Sequence, residues 1–238
     1  MSENNGQLRL QGVCAGYGET MVLENIGISI VRGESISIIG RNGVGKSTLL
    51  ETIMGHTTVH DGYIYLGERD ITHLKPYRRV WAGLGYVPQE REIFSSLTVA
   101  ENLAVVPGHS RESFDRIFDL FPHLKERSSS MGNQLSGGEQ QMLAIARALL
   151  GNPSVLLMDE PSEGLAPVII EELQRTMTRL RRELRLSIIL VEQNTRVAVE
   201  FTERCIVMNR GRIVRDGPSE ELQKDRQLLE QLIGVDVA

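Results

Sequence analysis

At 238 residues the chain is long enough for one large α/β unit with a sizeable core, and its 41% hydrophobic and 24% charged content excludes a disordered or fibrous protein. A net charge of -5 argues against a broad electrostatic footprint for nucleic acid, so no nucleic-acid partner is expected. No apolar run approaches the ~20 residues that a bilayer-spanning helix needs.

Residues 1–7 are polar and lack the basic-then-apolar pattern of a secretory signal, which points to the cytoplasm. Strands are expected at 8–14, 23–31 and 35–39, separated by glycine-bearing turns: a small β-layer that feeds a buried strand. Gly40 then opens a glycine-rich loop, and 46–54 reads as a helix. Strands at 63–66 and 84–87 follow, the second ended by Pro88. From there the pattern turns helical, at 99–105 and 112–120, with breaks at Pro107, Pro122 and the serine turn 128–130. This stretch, about 88–134, is expected to be a helical subdomain inserted into a single domain spanning 1–238.

Beyond Leu135 the chain returns to α/β alternation. A helix at 138–150, a buried strand at 155–158, an amphipathic helix at 169–184, a strand at 187–191, a helix at 197–201 and strands at 206–208 and 212–214 are expected. Strands alternating with helices imply a mainly parallel sheet covered on both faces. Cys14 and Cys205 lie in apolar, strand-like stretches and read as packing thiols.

The run Gly40, Arg41, Asn42, Gly43, Val44, Gly45, Lys46, Ser47 matches G-x-x-x-x-G-K-[ST] between an expected strand and an expected helix. Gly43 and Gly45 let backbone N–H groups converge on phosphate oxygens, and the helix N-terminus adds its positive end. Lys46 supplies a point charge to the β- and γ-phosphates, the Ser47 hydroxyl can ligate Mg²⁺, and Thr48 assists through its hydroxyl or backbone. The loop therefore reads as a site for a nucleoside triphosphate. Strand 155–158 delivers a carboxylate pair, Asp159 and Glu160. Adjacent acids at a strand end point apart, so Asp159 can serve a metal while Glu160 faces the γ-phosphate and orients or deprotonates water. The alternative is a solvated acidic turn before Pro161.

Leu135, Ser136, Gly137, Gly138 and Glu139 resemble the signature of the ABC family, and the order phosphate loop, Gln89, signature, acid pair extends the resemblance over nearly the whole chain. The resemblance implies a P-loop NTPase fold of the ABC ATPase type, with a mainly parallel sheet core, an antiparallel β-layer and the inserted helices. It implies a Mg-dependent ATPase working as a head-to-tail dimer, in which Ser136, Gly137 and Gly138 of one subunit touch ATP held by Lys46 of the other. Tyr17, between Gly16 and Gly18, looks like the aromatic that stacks on adenine, or else an ordinary β-turn tyrosine. Gln89 looks like the glutamine that reaches Mg²⁺ or the attacking water and senses a membrane partner, and 162–167 like the segment that crosses the dimer interface.

One departure stands out. The family usually carries a histidine after the strand that follows the acid pair, yet His56, His60, His73, His109 and His123 all precede the signature. Gln193 takes the switch position, and its amide can donate to a γ-phosphate oxygen but does not titrate.

Glu192, Gln193, Asn194 and the 162–167 segment are similar to ATP-binding subunits of branched-chain amino acid importers, whereas Val87 to Phe94 leans toward urea and amide importers. Transmembrane permease subunits, a second ATP-binding subunit and, indirectly, a solute-binding protein are the implied partners, at the cytoplasmic face of the inner membrane. An ABC ATPase of DNA repair would need a long coiled coil between phosphate loop and signature, and a translation-associated one would carry two cassettes. Neither feature is present in the sequence.

Overall fold

The computed structural model describes residues 7–108, 110–225 and 232. A hairpin of β1 (Leu8–Tyr17) and β2 (Thr20–Ile30) precedes β3 (Ser35–Ile39), which runs into the glycine loop and α1 (Lys46–Met54). β4 (Thr58–Leu66), β5 (Arg69–Asp70), α2 (Pro76–Ala82) and β6 (Leu84–Val87) follow, then α3 (Val99–Ala104), α4 (Arg111–Leu120) and α5 (Pro122–Glu126). The signature begins α6 (Gly137–Leu150), after which β7 (Val155–Asp159), α7 (Pro167–Leu184), β8 (Ser187–Glu192), α8 (Thr195–Phe201), β9 (Arg204–Asn209), β10 (Arg212–Pro218) and α9 (Ser219–Lys224) alternate.

Two sheets result. β2-β1-β4-β5 is antiparallel throughout, and β10-β9-β3-β8-β7-β6 is parallel except at β10. Every residue of β3, β7 and β8 is buried, as expected of parallel strands covered on both faces. The period-2 alternation of strand side chains divides them cleanly. Val155 and Leu157 join the core under α1 and the antiparallel sheet, while Leu156 and Met158 join the core built with Leu143, Leu149, Leu173 and Leu180 of α6 and α7. α1 is thus packed between the two sheets, with Leu49, Leu50 and Ile53 fully buried.

The expected elements are all present, most of them longer than the sequence pattern suggests. β4 starts five residues earlier, at Thr58, because its exposed first half shows no apolar alternation. α2, α5 and α9 are additional short helices. Cys205 is buried, but Cys14 is only partly so, and its sulfur accepts the Asn25 N–H at 3.3 Å.

Arg79 is the largest fully buried side chain that carries charge, at 2% exposed. Its guanidinium donates to the carbonyls of Leu74 (2.9 Å), Thr52 (2.8 Å), Ile53 (2.7 Å) and Thr72 (2.6 Å). Two of those carbonyls belong to the last turn of α1, whose C-terminal groups have no partner inside the helix. Burial lowers the Arg79 pKa to about 10, which leaves the side chain charged at neutral pH.

Candidate functional site

The phosphate loop is shaped by glycine at two positions. At Gly40 a Cβ would lie 2.4 Å from the Met208 carbonyl oxygen, so β9 can approach only a bare backbone. Gly45, the N-cap of α1, has φ +106°, a conformation that side chains oppose. Val44 is buried behind the loop, and its carbonyl accepts the Gly211 N–H at 2.9 Å.

A cleft of about 280 Å³ opens at the N-terminus of α1, lined by Asn42, Gly43, Gly45, Lys46, Ser47, Thr48, Gln89, Glu160, Glu163 and Gln193. The loop, the β6 exit, the β7 exit and the β8 exit therefore converge on one point, the carboxyl edge of a parallel sheet where α/β folds take ligands. Lys46 Nζ donates to the carbonyls of Gly40 at 3.0 Å and Arg41 at 3.3 Å and stands 3.6 Å from Glu160 Oε1. The ammonium is thus held over the loop with its charge balanced by one acid.

Asp159 and Glu160 diverge as the sequence suggests. Asp159 ends β7 at 3% exposed and hydrogen-bonds Ser47, while its Oδ1 is buried without a hydrogen-bond partner. Burial pushes its carboxyl up to about 6, with the Glu160 charge adding to the rise and Ser47 and Lys46 opposing it. A buried lone oxygen beside a hydroxyl gives Asp159 and Ser47 the hard oxygen donors that suit a cation such as Mg²⁺. Glu160 has φ +45° and its N–H donates to the Val191 carbonyl at 2.8 Å, which swings its side chain away from Asp159 and into the cleft.

The structure gives contacts in the site to two acids that the sequence marks only as parts of longer runs, Glu163 and Glu192. Glu163 lines the cleft, and its Oε2 accepts from Gln89 Nε2 at 2.6 Å. Glu192, 2% exposed at the end of β8, accepts the Ser162 N–H at 3.1 Å and so ties the β8 exit to the segment after the acid pair. Burial raises its carboxyl to about 7, opposed by the Ser162 hydrogen bonds. The sequence contained a signal for Glu192 in the adjoining Gln193, but none for the placement of Glu163.

Tyr17 stands apart from the cleft lining. Its half-exposed ring is tethered to α1, the phenol donating to the Glu51 carboxylate and lying 3.4 Å from Thr48 Oγ1. Burial, followed by the Glu51 contact, raises its pKa. A ring fixed at one edge with a face open to solvent can stack on a planar base.

The signature lies elsewhere. Ser136 and Gly138 border a separate cavity of about 300 Å³ walled by Leu120, Phe121, Leu124, Met142 and Ile169. Ser136 caps α6: its hydroxyl accepts the Glu139 N–H at 3.3 Å and Glu139 Oε2 accepts the Ser136 N–H at 2.7 Å, a capping box. These bonds hold the Glu139 carboxyl below its usual range. The N–H groups of Gly137 and Gly138 begin the helix, and Gly138 packs so tightly on α7 that a Cβ would come 2.8 Å from Ile169 Cγ2. Within one chain the signature and the phosphate loop serve different cavities.

Comparison with known proteins identifies the family. The profile of the ABC transporter family matches residues 23–163. A probable branched-chain amino acid transport ATP-binding protein, LivF of Archaeoglobus fulgidus, is 36% identical over 233 residues, covering 96% of this chain and 99% of that one. A lipopolysaccharide export ATP-binding protein, LptB of Haemophilus influenzae, is 30% identical over 95% of this chain and 97% of its own length. Among solved structures, the dimeric ATP-binding cassette MJ0796 bound to ADP and Pi superposes with a TM-score of 0.78 at 27% identity, covering 89% of this chain and 98% of that one. The chain belongs to the ABC transporter family and is an ATP-binding, ATP-hydrolysing subunit of that family.

Proposed function

We propose that the protein energises an importer, with branched-chain amino acids or close relatives as the transported solute. The observation that carries this reading is the near full-length similarity to LivF. The run Val87 to Phe94 favours urea or an amide as the second reading, and the similarity to LptB makes export the third.

In this reading Lys46 and the loop N–H groups bind the β- and γ-phosphates, Tyr17 stacks on adenine, and Ser136, Gly137 and Gly138 close the site from a second subunit in a head-to-tail dimer. Ser47, Asp159 and Gln89 hold Mg²⁺, which supplies charge neutralisation at the phosphates. Glu160 accepts a proton from the attacking water and orients it, and Gln193 donates its amide to a γ-phosphate oxygen. The two acids divide the work by environment: Glu160 projects into the cleft, whereas Asp159 is sunk at the strand end. Permease subunits dock on the helices of about 88–134 at the inner face of the membrane, and a solute-binding protein acts from the other side.

The test is purification with the cognate membrane subunits and binding protein in vesicles. ATPase stimulation by a branched-chain amino acid supports the first reading. Stimulation by urea or an amide alone selects the second, and release of a lipid substrate without any binding protein selects the third.

A further inference from the structure

Arg91 stands where three segments meet. Its Nη2 donates to the Glu163 carbonyl at 3.3 Å, and its Nε donates to Gln141 Oε1 at 3.1 Å. Its Nη1 lies 3.4 Å from where a Cβ on Gly137 would be. Glu163 in turn holds the Gln89 amide in the phosphate cleft at 2.6 Å. A continuous polar chain therefore runs from the cleft, through Gln89, Glu163 and Arg91, to Gln141 inside the signature helix α6.

The chain is built with little slack. Gln141 is 2% exposed, and its Nε2 is buried without a hydrogen-bond partner, so Arg91 supplies the contact that orients the amide. Arg91 and Glu92 both have positive φ, +60° and +47°, a backbone that persists only where surroundings over-determine it. Arg147 of α6 provides that constraint, donating to the carbonyls of Glu92 at 2.6 Å and Arg91 at 3.4 Å with its guanidinium over the Phe94 ring.

We propose that Arg91 is a positioning residue that couples occupancy of the phosphate cleft to the placement of the signature helix in the same chain. The inference rests on the reading of Gln89 as a group that turns toward Mg²⁺ or water when nucleotide is present. A γ-phosphate entering the cleft repels the Glu163 carboxylate and recruits the Gln89 amide, so both ends of the Gln89–Glu163 bond are pulled apart. Arg91 is bonded to the Glu163 backbone and rigid as a planar fork, and it transmits that shift to Gln141 and to the start of α6 beside Gly137. A lysine cannot span both acceptors with the same geometry.

The experiment uses the full-length chain, alone and with its membrane subunits, as wild type, Arg91→Ala, Arg91→Lys, Gln89→Ala and the Arg91→Ala/Gln89→Ala double variant. The expected result is ATP affinity of the isolated chain within about twofold of wild type for both Arg91 variants, and kcat in the complex about 10-fold lower with KM little changed. The double variant is expected to be no slower than the slower single variant within about twofold, because both substitutions cut one chain. Wild-type kcat in Arg91→Ala, or losses that multiply in the double variant, overturns the coupling role. A fall in melting temperature with a parallel loss of ATP affinity also overturns it, since that marks a purely structural residue. Impaired Gln89→Ala beside normal Arg91→Ala removes the relay alone, whereas normal Gln89→Ala removes the reading of Gln89 and the relay with it.

Discussion

Lys46 Nζ stands 3.6 Å from Glu160 Oε1, so the cation of the phosphate loop and the acid that faces it are paired before nucleotide arrives. Binding of a triphosphate would give Lys46 a stronger partner and release Glu160 toward water. Glu160→Gln keeps the shape and removes the base. ATP binding is expected to persist and turnover to fall by about 10³-fold or more, with ATP-bound dimers accumulating; ATPase rates and size-exclusion profiles with ATP check this.

Separation of the signature from the phosphate loop leads to a contrast between two variants. Lys46→Ala is expected to weaken ATP binding by the isolated chain, because Lys46 lies in the cleft. Ser136→Arg is expected to leave that binding intact and to block ATP-dependent dimerisation, because Ser136 borders the other cavity. Calorimetric titration of the isolated chain and sedimentation with ATP read the two effects separately, and equal loss of affinity in both variants counts against a composite site.

Gln193 lines the cleft without a titrating group. If its role is to donate to phosphate, Gln193→His remains active, while Gln193→Ala loses about 10- to 100-fold in turnover, equivalent to about 1.4–2.8 kcal/mol of transition-state stabilisation. Steady-state ATPase rates of the assembled complex decide it, and a wild-type rate in the alanine variant removes the assignment.

Much of this site is legible in the residues themselves because its chemistry demands fixed types at short spacing. The loop from Gly40 to Ser47, the acid pair and Gln193 occupy the ends of β3, β7 and β8, the strands with the clearest apolar runs. What was illegible has physical causes. α2 turns Tyr77, Val80 and Trp81 outward, Trp81 being 74% exposed, and buries Arg79, the reverse of the pattern that marks a helix in sequence. Pro122 reads as a breaker but sits at the start of α5, where its missing N–H does no harm. Glu163 and Arg91 meet across 72 positions, and no local spacing announces such a contact.

Arg79 carries a stability prediction. Arg79→Met keeps much of the volume but removes the guanidinium donor from four carbonyls, three of them in buried contacts. Denaturant unfolding is expected to show a loss of about 3 kcal/mol or more, larger than for substitution of an exposed arginine such as Arg175.

Glu192 predicts a pH dependence. Its carboxyl is raised from the ordinary value of 4.5 to about 7 in the folded chain, so the unfolded chain releases its proton first as pH rises. Its contribution to stability is full below about 4.5 and is lost progressively as pH rises through 7, with a slope of at most about 1.4 kcal/mol per pH unit for one proton. Glu192→Gln keeps an acceptor for Ser162 and should flatten this component of the pH profile. Urea midpoints of nucleotide-free protein across that window give the comparison.

The left-handed backbone at Glu160 makes position 160 a filter on its own substitutions. Gly, Asn and Asp are the residues at ease in that conformation, and none reaches as far as a glutamate. A β-branched side chain meets steric opposition there before any chemistry is considered. The corner therefore keeps an uncomfortable residue because only its length serves, and variants that relax the backbone are expected to gain in folding what they lose in turnover.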